Sequence, residues 1–319
     1  RIPVFGLSYN DGRLLRESLQ RATSDSSGGT PRQPSVSLYL QSKISEGRPR
    51  TVVGTLPGAG ASREEIVIVC AHGDSDSGGP GADDNASGVA ALIETARALT
   101  TASARGLLPA ERPTLRFVVW GSEYHSSRAY VGSHASETRR FRAVFNYDEA
   151  GTGAERDALY FEGNDIPHNA DLLRSMEAVA EDHAGKPGFW TTYSSVPALG
   201  GTDAYAFLPK SARGDGITDQ KIPTTTVFTA AWDEPTVVPQ TPGWKSKGWP
   251  EEGPLFVDYS RYYHSSGDTP ERTTDAEPYN MERCARMVAI TIVRMMRTST
   301  APAAPASAPR RGGWGGAPP

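Results

Sequence analysis

The sequence is poor in features that would assign it quickly. It has two cysteines in 319 residues, Cys70 and Cys284. Two thiols cannot make the dense disulfide framework of a small secreted scaffold, so stability must come from a buried core. Cys70 sits in the apolar run over residues 66–71 and Cys284 in a helical pattern near the C-terminal end. Both read as buried thiols, a disulfide between them stays open at this stage, and the redox compartment is not fixed. No stretch approaches the roughly 18 uncharged apolar residues that a membrane span needs. Neither sign of charge dominates, with 33 basic against 37 acidic residues. The net charge of −4 offers no electrostatic reason to expect nucleic acid or an anionic membrane surface as a partner. No signal peptide opens the chain, and no internal repeat recurs at solenoid periods.

What is present divides into three textures. Residues 1–47 carry turn chemistry, Asn10-Asp11-Gly12 and a Ser/Gly/Pro-rich loop over 23–34, between a short strand over 2–7 with a short helix and an alternating strand over 36–40. That piece is too small to hold its own core and reads as the end of something begun earlier. Residues 48–298 form the main domain. Residues 299–319 are mostly Ala, Pro, Gly and Ser, a composition expected to stay disordered.

Within the main domain, strands and helices alternate. Residues 50–55, 65–70, 114–120, 144–147, 159–161 and 224–229 are strand candidates rich in β-branched residues. Helical spacing of apolar residues marks 86–100, the stretch around Leu172 to Ala180, and 279–297. Short apolar strands separated by amphipathic helices predict a three-layer α/β/α fold around a central mixed, mostly parallel sheet.

In an open α/β sheet, ligands gather at the carboxyl ends of strands. Four loops after expected strands carry groups fit for that edge. His72 follows the second strand and offers an imidazole nitrogen, with Asp74 two residues on to take the proton of the other ring nitrogen. Asp83 and Asp84 precede the next helix, where capping and dipole complementarity alone would explain them. Glu123, Tyr124 and His125 follow the strand over 114–120, and Asp148 follows that over 144–147. Late in the chain His264 stands in Tyr263-His264-Ser265-Ser266-Gly267-Asp268. The other four of the six histidines, His125, His134, His168 and His183, read as surface residues, with a reservation for His125.

The string AHGDSDSGGPGADDNASG over residues 71–88 closely resembles the metal-binding segment of M28 zinc aminopeptidases. The likeness continues in the family's order through residues 117–122, 146–151, 200–207 and 263–269. It implies a zinc-exopeptidase-like fold and a two-zinc site. His72 and Asp148 would hold one zinc, Asp84 would bridge both, and His264 would help hold the other. Glu123 would be the general base toward a zinc-activated water, and Asp74 would orient His72. Residues 2–15 resemble the end of a protease-associated domain.

The chain departs from the family pattern at one informative place. Two adjacent glutamates are usual in the third loop, and here the pair is Glu123-Tyr124. Tyr124 or His125 would replace the missing ligand, or one zinc would suffice, or Glu123 would itself be a ligand. Asp203-Ala204 stands where the family often has Asp-His, and Asp203 receives no role at this level.

The expected activity is therefore that of a zinc-dependent exopeptidase releasing N-terminal residues from peptides. The rivals are a one-zinc amidohydrolase or cyclotransferase acting on a modified amide, and a non-catalytic binding module with the same fold. The expected partner is a peptide or small amide, and the expected location is secreted or extracytoplasmic. Side-chain preference and oligomeric state are not readable.

Overall fold

The computed structural model describes residues 9–24, 46–76, 79–152, 158–163, 169–190, 192–197, 202–209, 217–229 and 262–298, with 35, 37, 39 and 41 singly. The chain divides into two compact units, Arg1–Arg48 and Pro49–Pro319. In the first, helix α1 spans Tyr9–Ser24. The turn expected at Asn10-Asp11-Gly12 is absent, because those residues open α1. Asp11 in the first turn favours the helix N-terminus, and Glu17 pairs with Arg13 at 3.0 Å and Arg21 at 3.3 Å, one turn away on either side. These local terms outweigh the helix penalty of Gly12, about 1 kcal/mol. The strand expected over 2–7 and the tail over 299–319 lie outside the described residues. Of the strand expected over 36–40, only Ser37 and Tyr39 are described, and neither is in a strand.

The second unit is built on a seven-stranded sheet. Its strands are β1 Val52–Leu56, β2 Ile66–His72, β3 Thr114–Trp120, β4 Phe141–Tyr147, β5 Ala158–Gly163, β6 Thr192–Pro197 and β7 Thr224–Phe228. The order is β1-β3-β2-β4-β7-β5-β6. Neighbours β3, β2, β4 and β7 run parallel, as do β5 and β6, while β1 against β3 and β5 against β7 are antiparallel. The mixed, mostly parallel sheet expected from the strand–helix alternation is therefore present. Strand β6, of sequence TYSSVP, escaped the sequence reading because its serines blur the β pattern.

Strand β2 shows why its sequence is apolar without interruption. All seven of its residues are buried. Val67, Val69 and Ala71 face one helical layer, and Ile66, Ile68 and Cys70 face the other, as the period of two requires. The first layer holds helix α2 (Gly88–Ala104), helix α4 (Asn169–His183) and helix α5 (Tyr279–Thr298), whose Leu92, Leu99, Met176, Val288 and Ile292 meet Phe145 and Phe161 of the sheet. The opposite layer is smaller. Helix α3 (His125–Ser133) contributes Tyr130 and Val131, and a short turn over Asp203–Phe207 contributes Ala206 and Phe207. The Tyr130 ring meets Trp120 edge-on at 5.2 Å. Helix α3 is not expected from the sequence, because its nine residues include only a short apolar stretch.

The same layering settles the cysteines. Cys70 belongs to the core on one face of the sheet and Cys284 to the core on the other, and both are free, buried thiols.

Phe145 is fully buried between sheet and helices, whereas Ile93 on α2 is 58% exposed. Truncating Phe145 to Ala should cost about 3–5 kcal/mol through lost burial and the cavity left behind. Ile93→Ala should cost under about 1 kcal/mol. Urea unfolding midpoints check this, and equal losses at the two positions would contradict the layer assignment.

Candidate metal centre

Strand ends deliver the chemistry. His72 closes β2 directly beside Trp120, the last residue of β3. Glu123 lies three residues past β3, and Asp148 is the first residue past β4. Because β3, β2 and β4 run parallel, all three groups emerge at one edge.

Asp84 arrives from a wide irregular turn over Ala82–Ser87, not from a helix. Its backbone (φ −108, ψ 89) and that of Asn85 (φ −141, ψ 39) are non-helical, and α2 begins only at Gly88. Capping of α2 therefore does not explain the Asp83-Asp84 pair. Asn85 does that work, its Oδ1 accepting the Gly88 N–H at 3.0 Å. Asp83 points inward and accepts from the Gly151 N–H at 2.9 Å and from the Thr152 hydroxyl.

The turn is held by Asp268. Its two carboxylate oxygens accept the N–H groups of Asp83 at 2.8 Å and Asp84 at 3.0 Å, and its carbonyl accepts that of Ala82 at 3.1 Å. Three contacts thus fasten the loop bearing His264 to the loop bearing Asp84. In the sequence Asp268 carries little signal, being only an acidic residue four positions after a histidine.

The geometry centres on Asp84. Its Oδ1 lies 3.3 Å from His72 Nε2, and its Oδ2 lies 3.0 Å from His264 Nε2. Asp148 Oδ1 is also 3.3 Å from His72 Nε2. A ring nitrogen of His72 and carboxylate oxygens of Glu123 and Asp148 all fall within 4.8 Å of one another, close enough to hold one metal ion. His72 is oriented from behind, its Nδ1 standing 3.0 Å from the Asp74 carbonyl and 3.4 Å from the Asp74 carboxylate. Asp76 stands in the same relation to His264, at 3.3 Å from Nδ1. Asp148 is fixed by a relay in which its Oδ2 accepts the Thr202 hydroxyl at 2.6 Å, Thr202 Oγ1 accepts Asn146 Nδ2 at 2.9 Å, and Asn146 Oδ1 accepts the Cys70 thiol at 3.4 Å.

The electrostatics match this crowding. Burial opposes a charge on His72, yet Asp148, Asp74 and Asp84 hold its pKa far above the ordinary imidazole range. Burial, then the nearby Asp148, pushes Glu123 up to about 8. Several carboxylates packed around a buried imidazole form an excess of negative donors, and that donor set fits a divalent cation.

Of the groups named from sequence, the structure gathers His72, Asp74, Asp84, Glu123, Asp148 and His264. Tyr124 directs its main-chain N–H to Asp203 Oδ1 at 3.1 Å. His125 is exposed, lies outside the group formed by His72, Glu123 and Asp148, and has Nδ1 3.3 Å from the Glu123 carbonyl. His134 stacks on Tyr130 with centroids 4.0 Å apart, and His183 Nδ1 pairs with the Val179 carbonyl at 2.8 Å, both structural contacts away from the site. His168 lies outside the described residues.

The model of peptidase family M28 matches residues 51–290. Aminopeptidase YwaD from Bacillus subtilis is 29% identical over 160 residues, covering 49% of this chain and 30% of that protein. Leucine aminopeptidase 2 from Trichophyton equinum is 25% identical over 284 residues, covering 84% of this chain and 48% of that protein. Among solved structures, a zinc aminopeptidase from Bacillus subtilis superposes with a TM-score of 0.53 at 22% identity, covering 77% of this chain and 49% of that one, a likeness of fold. The chain thus spans less than half the length of these relatives.

Two outcomes follow from the site. In the metal-free protein, burial first of all raises Asp83 and Asp203 to about 7, as it does Glu123 to about 8. A carboxyl raised above its unfolded value binds more protons folded than unfolded. His72, also raised, acts in the same direction above its unfolded pKa. Stability should therefore fall as pH rises from about 5 through 8, and the Tm of chelator-treated protein should drop across that range. A rising Tm would contradict the arrangement. Separately, Thr202→Val removes the hydroxyl held by Asp148. It should weaken zinc binding about 10–100-fold in competition with a chromophoric chelator. A change under about twofold would detach Thr202 from the site.

Proposed function

The chain belongs to peptidase family M28, and from that membership and the geometry above we propose that it is a zinc-dependent aminopeptidase. The observation that carries the reading is one carboxylate, Asp84, facing His72 with one oxygen and His264 with the other, with Glu123 and Asp148 beside His72. His72, Asp84 and Asp148 would hold one zinc ion, and Asp84 with His264 would hold the second. When bound, zinc supplies Lewis-acid polarisation of the scissile carbonyl and a lowered pKa for water. Glu123 is the general base. Beside a cation its carboxylate is ionised at neutral pH, so it accepts a proton from the attacking water and passes it to the leaving amine. Asp74 and Asp76 fix the imidazoles of His72 and His264 through their far nitrogens.

The substrate is a peptide with a free N-terminus, in keeping with the relatives named as aminopeptidases. Two further readings belong to the same proposal. Residues 1–47 resemble the end of a protease-associated domain, and the location is extracytoplasmic. No helix among the described residues is long and apolar enough to cross a membrane.

The test uses unblocked and N-terminally blocked peptides, with zinc measured on the same preparations. The chain should release N-terminal residues from unblocked peptides only, lose that activity on chelation, and regain it with zinc. Glu123→Gln should lower kcat by about 10²–10⁴ with zinc content unchanged. Activity that survives chelation, or a Glu123→Gln variant as active as the parent, would remove the proposal.

A further inference from the structure

Glu123 sits on a short loop between β3 and α3, and a loop is a poor platform for a base that must be placed to a fraction of an ångström. Two part-buried hydrogen bonds compensate. The Glu123 N–H donates to Asp74 Oδ1 at 2.9 Å, and the next N–H, that of Tyr124, donates to Asp203 Oδ1 at 3.1 Å. The two peptide planes flanking the Glu123 α-carbon are therefore each fixed by a carboxylate from a different part of the chain. Asp74 comes from the loop after β2, and Asp203 opens the turn over Asp203–Phe207.

Asp203 is well suited to hold this position. It is fully buried, and its turn packs into the sheet core through Ala206 and Phe207. It also does for α3 what the helix does not do for itself. Tyr124, the residue preceding α3, makes no side-chain cap. The Asp203 carboxylate thus meets the helix N-terminus from another element, and the helix dipole offsets part of the cost of burying it. The contact also falls on a residue in an uncommon conformation. Tyr124 has φ 56, in the left-handed region that non-glycine residues enter at a cost. The N–H to Asp203 bond is one of the contacts that hold it there, and the Ser127 hydroxyl donating to the Tyr124 carbonyl at 3.2 Å is another. Thr202, the neighbour of Asp203, donates to Asp148. One dipeptide, Thr202-Asp203, thereby reaches both the base loop and a metal-binding carboxylate.

We propose that Asp203 is the positioning residue for the general base, fixing Glu123 by accepting the Tyr124 N–H. The inference rests on the reading of Glu123 as base. Asp203 contacts neither substrate nor metal in this role, and it works as a hydrogen-bond acceptor.

The experiment measures kcat and KM on an unblocked peptide for the zinc-loaded parent, Asp203→Ala, Asp203→Ser and Asp203→Asn, with zinc content and far-ultraviolet circular dichroism of each. Alanine has no acceptor and serine is too short to reach the N–H. Both should lose kcat about 10–100-fold, the scale of a 1 Å misplacement, with KM within about twofold and zinc content unchanged. Asparagine keeps a carbonyl oxygen where Oδ1 stood and should recover kcat at least about tenfold over alanine, since the same N–H is accepted. The proposal falls if Asp203→Ala keeps kcat within about threefold of the parent, if Asp203→Asn is as impaired as Asp203→Ala, or if the loss appears in KM or zinc content instead. It also falls if the alanine and serine variants both fail to fold, since Asp203 would then serve the fold rather than the base. A parent with no chelator-sensitive peptidase activity would overturn the aminopeptidase reading itself, a result distinct from all of these.

Discussion

Asp84 holds an uncomfortable position. Its side chain is almost fully buried, yet each of its oxygens stands close to a histidine nitrogen, His72 on one side and His264 on the other. An ionised carboxylate taken out of water costs several kcal/mol unless partners replace the lost hydration. The two imidazoles are those partners, and much of the surrounding structure holds the carboxylate between them. Asp268 fixes the main chain at Asp83 and Asp84, and the same contact brings the His264 loop against the turn. Asn85 closes the turn onto α2 and also donates to the Tyr147 carbonyl at 2.9 Å, tying it to the end of β4. Two loops separated by some 180 positions meet because one carboxylate bridges them.

The other half of the site depends on the sheet. Parallel strands β3, β2 and β4 bring Glu123, His72 and Asp148 to one edge without any of them being neighbours in sequence. Behind this edge the polar groups are linked to one another. Thr202, Asn146 and Cys70 form a relay beneath Asp148, and Asp74 links His72 to the Glu123 main chain. Such a network restricts each of these side chains to few rotamers, the preorganisation that a metal site needs. The concentration of negative charge destabilises the metal-free protein and favours a divalent cation, two consequences of a single arrangement.

Much of this was legible in the residues. The apolar runs of β2, β3 and β4 and the helical spacing in α2, α4 and α5 announce a buried sheet between helices, because each side chain must meet one layer or the other. His72 and His264 stand out in the sequence because each has an aspartate nearby, whereas Asp84 reads there as a capping residue and takes its metal role from the resemblance over residues 71–88. Elements with weak local signals were harder to see. Strand β6 is short and serine-rich, α3 is short and largely polar, and the Asn10-Asp11-Gly12 segment carries turn residues that α1 absorbs through its ion pairs.

By itself, then, the sequence determined the fold class through its hydrophobic period, and through the family resemblance of residues 71–88 it set which side chains to expect at a metal site. Tertiary structure alone decided which groups share a partner. It set Asp84 between two histidines and took the Asp83-Asp84 pair off the helix. It separated Cys70 from Cys284 by the thickness of a sheet, and it gave Asp268 and Asp203 their places. These are contacts between residues distant in sequence, and their energies depend on distance and burial that exist only once the chain has packed.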